Sequence, residues 1–285
     1  MPQAIRFHQT GGPEVLKWET VELGDPGPRQ ARVRQHACGV NFIDVYHRTG
    51  AYPAQLPSGI GLEGAGVVEA VGAEVSELAP GDRVAYAGGP LGGYAQARLM
   101  PADRLVRLPE AIGFEQAAAM MLKGLTAQYL LRRTFRVDRN NRVLIHAAAG
   151  GVGLIACQWA KALGATVIGT VGSEDKAKLA QAHGCDHPVL YAREKFVDRV
   201  REITGGAGVD VVYDSVGRDT FLDSLSCLRP MGMMVLFGAA SGPVAPFDPS
   251  LLAQKGSLFL TRPTLFTYVA KREDLVAMAG ELFEV

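Results

Sequence analysis

The fold is decided near the middle of the chain, where the sequence reads Arg142–Val143–Leu144–Ile145–His146–Ala147–Ala148–Ala149–Gly150–Gly151–Val152–Gly153–Leu154–Ile155. The apolar run at positions 143 to 145 predicts a β-strand, and the small residues after it predict a tight turn. A helix is predicted from Gly151 to Leu163, where Gly164 ends it. This order of strand, turn and helix is typical of a dinucleotide-binding βαβ unit.

The small residues of the turn match most of the glycine fingerprint G-x-G-x-x-G. Ala148 occupies the first glycine position, and Gly150 and Gly153 occupy the second and third. Small residues let a pyrophosphate approach the backbone, and the helix N-terminus offers N–H groups to the phosphates. The pattern alone also fits a tight turn without a ligand, but the next predicted strand, Thr166–Thr170, favours a nucleotide site.

The composition is that of a globular protein with room for two domains. The chain has 285 residues, of which 48% are hydrophobic and 20% are charged. Its 29 basic and 29 acidic residues cancel, so it has no net charge for binding nucleic acid or an anionic membrane. The four cysteines lack C-x-x-C spacing, and neither a secretion signal nor a membrane-length apolar segment is found. We therefore expect a cytoplasmic enzyme with reduced thiols.

The chain changes character near residue 125. Before it, the strands predicted at Ala31–Cys38, Ala65–Val71 and Arg83–Tyr86 alternate with Gly/Pro turns and suggest a small barrel-like domain. The spacing of apolar residues is helical from Phe114 to Arg133. Later strands alternate with helices, and they are predicted at Arg142–His146, Thr166–Thr170, His187–Tyr191, Val209–Asp214, Met233–Phe237 and Leu258–Thr261. This α/β pattern predicts a doubly wound parallel sheet.

Several stretches outside the glycine turn carry a family resemblance: Gly11–Leu16, Asn41–Tyr46, Leu122–Ala127, Val212–Gly217 and Gln254–Ser257. With them the chain resembles the zinc-independent quinone oxidoreductases, the zeta-crystallin-like branch of the medium-chain dehydrogenase/reductase superfamily. The resemblance implies a GroES-like, mostly β catalytic domain and a Rossmann domain, with NADPH in the cleft between them. It also implies hydride transfer from NADPH to quinones, and a homodimer.

The resemblance implies a GroES-like catalytic domain at residues 1–125 and a Rossmann NADPH-binding domain at residues 126–265. Residues 266–285 are expected to begin the return to the catalytic domain. Chains of the family continue for some tens of residues past the position of Leu282–Val285, so this chain looks shortened relative to them. In the family that further segment completes the catalytic domain.

The residue types argue against zinc. Alcohol-dehydrogenase relatives bind catalytic zinc through a Cys and a Gly-His-Glu stretch, and by resemblance these positions read Asn41 and Gly61–Leu62–Glu63 here. An amide and a hydrocarbon do not suit Zn²⁺. The loop Gly88–Gly93 stands where those relatives have a four-Cys structural zinc lobe. Cys38 is expected to be a small buried hydrophobe rather than a ligand.

By resemblance, Asn41, Asp44, Tyr46 and Tyr52 line the site of the electron acceptor. The two tyrosines can stack on a planar ring and donate a hydrogen bond, but Tyr46 also fits a core aromatic and Tyr52 a turn residue. Two polar residues in an apolar run need partners if they are buried, which favours a functional role for Asn41 and Asp44. The six histidines form no triad or ligand set, and none is assigned to catalysis.

Further predicted contacts concern the cofactor, NADPH. By resemblance these contacts come from Thr126, Tyr129, Gly150, Gly151, Val152, Ser215, Phe237, Gly238, Ser241, Arg262, Pro263 and Thr264. Several of them follow a predicted strand, which is where ligands bind in open α/β sheets. Gly238 also fits an ordinary glycine at the end of a strand.

The end of the second strand predicts NADPH rather than NADH. NAD enzymes carry an acidic residue there, roughly 20 residues past the glycine turn, which would repel a 2′-phosphate. This position reads Val171, followed by Gly172 and Ser173, and Lys176 lies in the first turn of the next helix. Tyr191 resembles a family residue that flanks the phosphate. A solvated helix lysine is the plain alternative for Lys176.

Other functions stay open at the level of the sequence. Among enzymes, the alternative is an NADPH-dependent reductase of activated C=C bonds, in enones or alkenals. Lens crystallins of the family have a bulk structural role with NADPH as a bound ligand, and some relatives bind AU-rich RNA. The zero net charge and the lack of a basic stripe with interleaved aromatics argue against nucleic acid as a partner.

Overall fold

A computed structural model describes all 285 residues of the chain. The chain divides into two compact units. Unit 1 comprises Met1–Leu125 and Val269–Glu284, and unit 2 comprises Thr126–Tyr268 together with the last residue, Val285. No helix is long and apolar enough to cross a membrane.

Unit 1 is built mainly from antiparallel strands. Its elements in chain order are β1 (Gln3–Phe7), β2 (Lys17–Thr20), β3 (Gln30–Cys38), α1 (Phe42–Thr49), β4 (Ser58–Gly59), β5 (Glu63–Val71), β6 (Arg83–Ala87), β7 (Ala97–Pro101), β8 (Val106–Arg107) and α2 (Phe114–Gln128), whose last three residues belong to unit 2. Five strands form a sheet in the order β7-β3-β5-β6-β8, and β2-β1-β4 form a smaller sheet. The main core lies on the larger sheet, where residues such as Val33, Val68 and Tyr86 are buried.

Cys38 is exposed, so the expectation that it is buried is wrong. Successive side chains of a strand point to opposite faces, and Ala31 and Val33 are the buried residues of β3. Cys38 has the same parity as Arg34 and His36, which are also exposed. The alternation of β3 therefore places the thiol on the outer face.

The helix predicted from Phe114 to Arg133 changes its hydrogen bonding at Gln128. The α-helix ends there, and residues Tyr129–Thr134 continue as a π-helical segment. The Leu130 carbonyl accepts the Phe135 N–H at 3.2 Å and also the Tyr213 hydroxyl at 3.0 Å. A second donor on a backbone carbonyl favours this wider turn locally.

Unit 2 contains the predicted doubly wound sheet. Its elements are β9 (Arg142–Ile145), α3 (Gly151–Ala162), β10 (Thr166–Val171), α4 (Glu174–Ala182), β11 (His187–Leu190), α5 (Phe196–Ile203), β12 (Val209–Asp214), α6 (Phe221–Leu225), β13 (Leu228–Leu236), α7 (Ser250–Gln254), β14 (Phe259–Thr261) and α8 (Leu265–Tyr268). The six strands are parallel and lie in the order β11-β10-β9-β12-β13-β14. All six predicted strands are confirmed, and their carboxyl ends share one edge of the sheet.

The last helix, α9 (Arg272–Glu284), belongs to unit 1. Just before it, the Val269 carbonyl accepts from the Arg104 guanidinium at 2.7 Å. Arg272 donates to the Asp103 carbonyl at 3.0 Å. These bonds fasten the end of the chain to the segment between β7 and β8.

Candidate active site

The glycine-rich turn of unit 2 follows β9 and opens α3. Ala147 takes a left-handed conformation with φ of 52°, and the Gly150 N–H donates to the Ala147 carbonyl at 2.8 Å. A Cβ on Gly153 would lie 2.3 Å from that carbonyl oxygen, so only glycine allows α3 to pack this closely on the turn. Gly150 caps α3 without a side-chain hydrogen bond, which leaves the first N–H groups of the helix, at Gly151 and Val152, for a ligand. An anionic pyrophosphate fits such a helix N-terminus.

The residues predicted to bind a 2′-phosphate meet at the carboxyl ends of β10 and β11. Val171 is buried, so position 171 offers an apolar side chain and no carboxylate. A Cβ on Gly172 would lie 2.7 Å from the Tyr191 hydroxyl, which shows that Tyr191 lies against this glycine. Ser173 caps α4 by accepting the Lys176 N–H at 3.3 Å, and the Lys176 side chain is exposed. The corner thus presents one ammonium and two hydroxyl groups.

Four predicted cofactor residues lie in the loops after β12 and β13: Ser215, Phe237, Gly238 and Ser241. A Cβ on Gly238 would lie 2.5 Å from the Ser215 carbonyl oxygen, so the two loops pass too closely for a side chain. The Ser241 hydroxyl accepts from the Asp219 N–H at 3.1 Å and donates to the Val216 carbonyl at 2.9 Å. Gly238 and Ser241 therefore have roles in joining the loops that need no ligand.

Five further predicted residues lie at the ends of unit 2: Thr126, Tyr129, Arg262, Pro263 and Thr264. Thr126 and Tyr129 are buried, and the Tyr129 ring stacks on Tyr268 with centroids 4.5 Å apart. Arg262 donates to the Leu236 carbonyl at 3.1 Å. Residues 262–264 follow β14, so they lie at the same edge of the sheet as the glycine-rich turn.

His146, directly after β9, is a structural residue. Its Nδ1 lies 2.9 Å from the Thr170 hydroxyl and its Nε2 lies 2.8 Å from the Ser224 hydroxyl. Complete burial lowers the pKa of the imidazole, so it is neutral at neutral pH. The ring ties β9 to β10 and α6.

Unit 1 contains a buried polar network centred on Glu63, the first residue of β5. Its Oε1 accepts the Leu122 N–H at 2.7 Å. Its Oε2 accepts from Asn41 Nδ2 at 2.7 Å and from Lys123 Nζ at 3.0 Å. Burial raises the pKa of Glu63, whereas the Lys123 ammonium and the two N–H donors act against that rise. The network joins β5 to α2 and to the start of α1.

Asp44 lies beside this network in the first turn of α1. Its Oδ2 accepts from the Asn41 N–H at 2.9 Å and from the Tyr94 hydroxyl at 2.6 Å. Its Oδ1 is buried without a hydrogen-bond partner. Burial raises the pKa of Asp44 in spite of the two bonds. An unused buried oxygen is costly, and a donor group on a ligand would relieve that cost.

Tyr46 and Tyr52 lie side by side at α1 and the turn after it. Their ring centroids are 5.0 Å apart, and the Phe42 ring lies 5.3 Å from that of Tyr46. The Tyr52 N–H donates to the Tyr46 carbonyl at 3.0 Å. Both tyrosines are half-buried, so neither is a fully enclosed core residue. The four residues predicted around the acceptor thus form two pairs: Asn41 and Asp44 are joined by a hydrogen bond, and Tyr46 and Tyr52 by a ring contact.

Two members of the unit 1 network are not singled out by the sequence alone: Lys123 and Tyr94. One feature of the sequence points to Lys123: it is the only basic residue of α2, a helix rich in Ala, Met and Leu. Tyr94 lies in an irregular segment, and nothing in the sequence relates it to Asp44. In the sequence, Glu63 is noticeable only because it matches the last position of the Gly-His-Glu stretch of the zinc-binding relatives.

The donor set of unit 1 does not fit zinc. Both oxygens of Glu63 accept from N–H groups, and the Lys123 ammonium lies 3.0 Å from one of them. An ammonium in that place repels a metal ion, and Asn41 and Leu62 supply neither a thiolate nor an imidazole. No group of three or more His, Cys, Asp and Glu side chains that could hold a metal is present.

Catalytic activity is expected to be independent of zinc. The reason is the chemistry of the donors around Glu63, which favours N–H groups and an ammonium over a metal. Dialysis against a strong chelator, followed by measurement of both metal content and rate, tests this expectation. Stoichiometric zinc in the purified protein, with activity lost on its removal and regained on its return, would contradict it.

Two protein-family models match the chain. Residues 27–110 match the alcohol dehydrogenase GroES-like domain, and residues 151–277 match the zinc-binding dehydrogenase model. The chain is 56% identical over 284 residues to a quinone oxidoreductase of Pseudomonas aeruginosa, a match that covers 99% of this chain and 87% of that protein. It is 49% identical over 291 residues to a 2-haloacrylate reductase of Burkholderia sp, with 100% and 87% covered.

A solved structure of Escherichia coli quinone oxidoreductase complexed with NADPH is also similar. It has a TM-score of 0.97 and 51% identity, and the match covers 99% of this chain and 87% of that one. A GroES-like unit and a six-stranded dinucleotide-binding unit together define a medium-chain dehydrogenase/reductase. Within that superfamily the chain belongs to the quinone oxidoreductase family.

Proposed function

We propose that the protein is an NADPH:quinone oxidoreductase that reduces quinones by hydride transfer and without a metal. The observation that carries the proposal is the identity of 51% to 56% with three quinone oxidoreductases over at least 99% of this chain. The site residues agree with it, because each unit contains groups suited to one of the two substrates.

The residues of unit 2 fit NADPH. The N–H groups at the start of α3 suit the pyrophosphate. Gly153 has no side chain, so α3 packs closely on the turn that carries these N–H groups. The corner formed by Gly172, Ser173, Lys176 and Tyr191 suits a 2′-phosphate, because it offers an ammonium and hydroxyl groups and has Val171 in place of an acid. When bound, NADPH supplies the hydride.

The residues of unit 1 suit a planar, electrophilic acceptor. Asn41 and the two tyrosines can donate hydrogen bonds to carbonyl oxygens, and such donors stabilise the negative charge that develops on reduction. The aromatic rings of Tyr46 and Tyr52 offer apolar surface to a quinone ring. A quinone needs less activation than a simple ketone, so these groups suffice without a metal.

Tyr46→Phe and Tyr52→Phe are expected to lower quinone turnover and to leave the KM for NADPH nearly unchanged. Each removes one hydroxyl and keeps the ring, so a hydrogen bond that is stronger in the transition state is lost at a cost of about tenfold or more in kcat/KM. Steady-state kinetics with both substrates varied measures the effect. Wild-type kinetics in both variants would assign the two residues to packing alone.

A second candidate function is the reduction of activated C=C bonds. The observation that favours it is the 49% identity to the 2-haloacrylate reductase. A panel of quinones, enones and 2-haloacrylates with NADPH separates the candidates. Higher kcat/KM for quinones supports the main proposal, and higher kcat/KM for an enone or haloacrylate overturns it in favour of the second.

The protein is proposed to act as a homodimer in the cytoplasm. Strand β14 pairs only with β13, so its other edge is open, and Phe259 and Leu260 on it are exposed. Exposed Met231 adds apolar surface in unit 2. Open strand edges with apolar side chains favour association with another chain. All four cysteines are free thiols, which suits a reducing compartment.

A further inference from the structure

We propose that Glu63 and Lys123 act as a positioning pair that holds the Asn41 amide with its nitrogen toward Glu63, so that the second N–H of that nitrogen faces the acceptor oxygen. This inference rests on the proposed function, because Asn41 is taken as a residue that touches the acceptor. Glu63 and Lys123 act through Asn41 and do not themselves touch the acceptor.

The geometry fixes which end of the Asn41 amide faces Glu63. An asparagine side chain can present either its oxygen or its NH₂ group after a half-turn, and the two ends have opposite hydrogen-bonding character. An ionised carboxylate only accepts, so the contact of 2.7 Å to Glu63 Oε2 requires the nitrogen. One N–H of Nδ2 is used in this bond, and the other remains to donate.

The Glu63 carboxylate has no freedom to turn away. A Cβ on Gly39 would lie 2.0 Å from Glu63 Oε2 and 2.2 Å from the Ala118 carbonyl oxygen, so the carboxylate fills the space beside this glycine. Glu63 is fully buried and accepts from three donors at once, of which the Leu122 N–H is fixed by α2. A rigid acceptor holds the amide of Asn41 in one orientation.

Lys123 is the positive charge that favours the ionised form of this acceptor. Burial raises the pKa of Glu63, and the ammonium at 3.0 Å is the largest of the influences that lower it. The other titratable groups facing the pair are Cys38 on β3, Tyr86 on β6, Tyr94, and Asp44 on α1. Desolvation and the nearby Asp44 and Glu63 carboxylates raise the pKa of the Cys38 thiol, and burial raises the pKa of both phenols. These groups are therefore neutral at neutral pH, and none of them supplies a positive charge in place of the lysine.

Glu63→Gln is the central variant of the test. A glutamine has one oxygen where the carboxylate has two, so its NH₂ group must face at least one of the three donors. Turning the Asn41 amide over is the simplest relief, and it would point the oxygen of Asn41 where the N–H was. We expect a fall in kcat of about 10- to 100-fold, as for the loss of one well-placed donor, with the KM for NADPH changed by less than about twofold.

A double-mutant cycle with Asn41→Ala separates positioning from general damage. If Glu63 acts through Asn41, Glu63→Gln should lower kcat no further once the amide is gone. Additive losses in the double variant would overturn the inference. Absence of quinone reduction by the wild-type protein would instead overturn the proposed function, so the two failures are distinguishable.

Lys123→Met provides a second test through the pH profile. Loss of the ammonium should raise the pKa of Glu63 further, so the carboxylate is protonated at a higher pH and the acid limb of kcat moves upward. Lys123→Arg should return the limb toward its wild-type position, because it restores the charge. Lys271→Met, which removes an exposed lysine of the same unit, serves as the control. An acid limb that is the same in wild type and Lys123→Met would contradict the role of the lysine.

A readout without turnover uses the side-chain amide signals of asparagine. The chain has only three asparagines, Asn41, Asn140 and Asn141, so selective ¹⁵N labelling gives three NH₂ pairs, and Asn41→Ala assigns the relevant one. In the wild type this pair should shift with pH as Glu63 is protonated, and the midpoint should be higher in Lys123→Met. The titration should vanish in Glu63→Gln. If Glu63→Gln does not fold, the comparison of the wild type with Lys123→Met still tests the inference. Equal midpoints in these two proteins, or a pH-independent Asn41 signal, would overturn it.

Discussion

Replacement of Lys176 with alanine is expected to raise the KM for NADPH by about 10- to 100-fold and to leave the KM for NADH within about twofold of its wild-type value. The 2′-phosphate is the only group that distinguishes the two cofactors. Lys176 lies in the first turn of α4, next to the Ser173 cap. Its ammonium and the Ser173 hydroxyl can both reach a phosphate bound at this corner. Glu174 in the same turn is paired with Arg193 at 2.5 Å, which offsets its charge.

Lys178→Ala is the matched control for this prediction. Lys178 is exposed on the same helix. It lies two residues after Lys176, so its side chain points about 200° around the helix axis from that of Lys176. It should therefore leave both KM values unchanged. Equal losses for NADPH and NADH in Lys176→Ala, or a wild-type protein that prefers NADH, would show that this corner does not select the phosphate.

Gly153→Ala is expected to destabilise unit 2 and to abolish tight binding of NADPH. The new Cβ would lie 2.3 Å from the Ala147 carbonyl oxygen and 2.7 Å from that of Ala148, and these are backbone atoms that cannot swing aside. Helix α3 must therefore move off the turn, which costs about 1–3 kcal/mol or more, as other overpacking substitutions do. The displaced helix N-terminus would no longer present its N–H groups to the pyrophosphate.

Gly280→Ala is the control, since a Cβ on Gly280 meets nothing within 4 Å and the residue lies inside α9. Alanine there should stabilise the helix by about 0.5–1 kcal/mol and leave NADPH binding intact. Thermal unfolding and cofactor titration measure both effects. A Gly153→Ala protein with wild-type melting temperature and wild-type NADPH affinity would refute the close packing at the turn.

Much of unit 2 could be predicted because its signals are local. Each buried parallel strand is a short apolar run, and the glycine turn between β9 and α3 has its own pattern. The position of Val171 follows directly from the end of β10, so the corner around Lys176 is readable residue by residue. The change at Gln128 from an α-helix to a π-helical segment has no local signal in the sequence, and the Tyr213 hydroxyl that bonds to this segment comes from a distant strand.

The network of unit 1 could be predicted only in part. Asn41 and Asp44 are noticeable as polar residues in an apolar run. Their partners come from β5, α2 and an irregular segment, and the pairing of Glu63 with Lys123 depends on how those elements pack. The prediction that Cys38 is buried is wrong for a different reason: cysteine is a residue type that is often buried, whereas the alternation of β3 places position 38 on the outer face.

The polar network of unit 1 supports the proposal that this dehydrogenase fold reduces quinones without a metal. At the positions that by resemblance correspond to zinc ligands in alcohol-dehydrogenase relatives, this chain has a carboxylate that accepts three hydrogen bonds and a lysine that balances its charge. Such a site can orient donors toward a carbonyl oxygen but cannot polarise it as strongly as Zn²⁺ does. This suits acceptors that are already electrophilic.

NADPH-dependent quinone reduction without a metal is tested most directly by one anaerobic measurement on chelator-treated protein. NADPH and a benzoquinone are mixed with the protein, and the loss of NADPH and the appearance of hydroquinone are followed together. We expect both to proceed at the same rate, far above the rate without protein, and NADH to be a much poorer donor. No acceleration over the protein-free mixture, or activity that returns only when zinc is added, would contradict the proposed function.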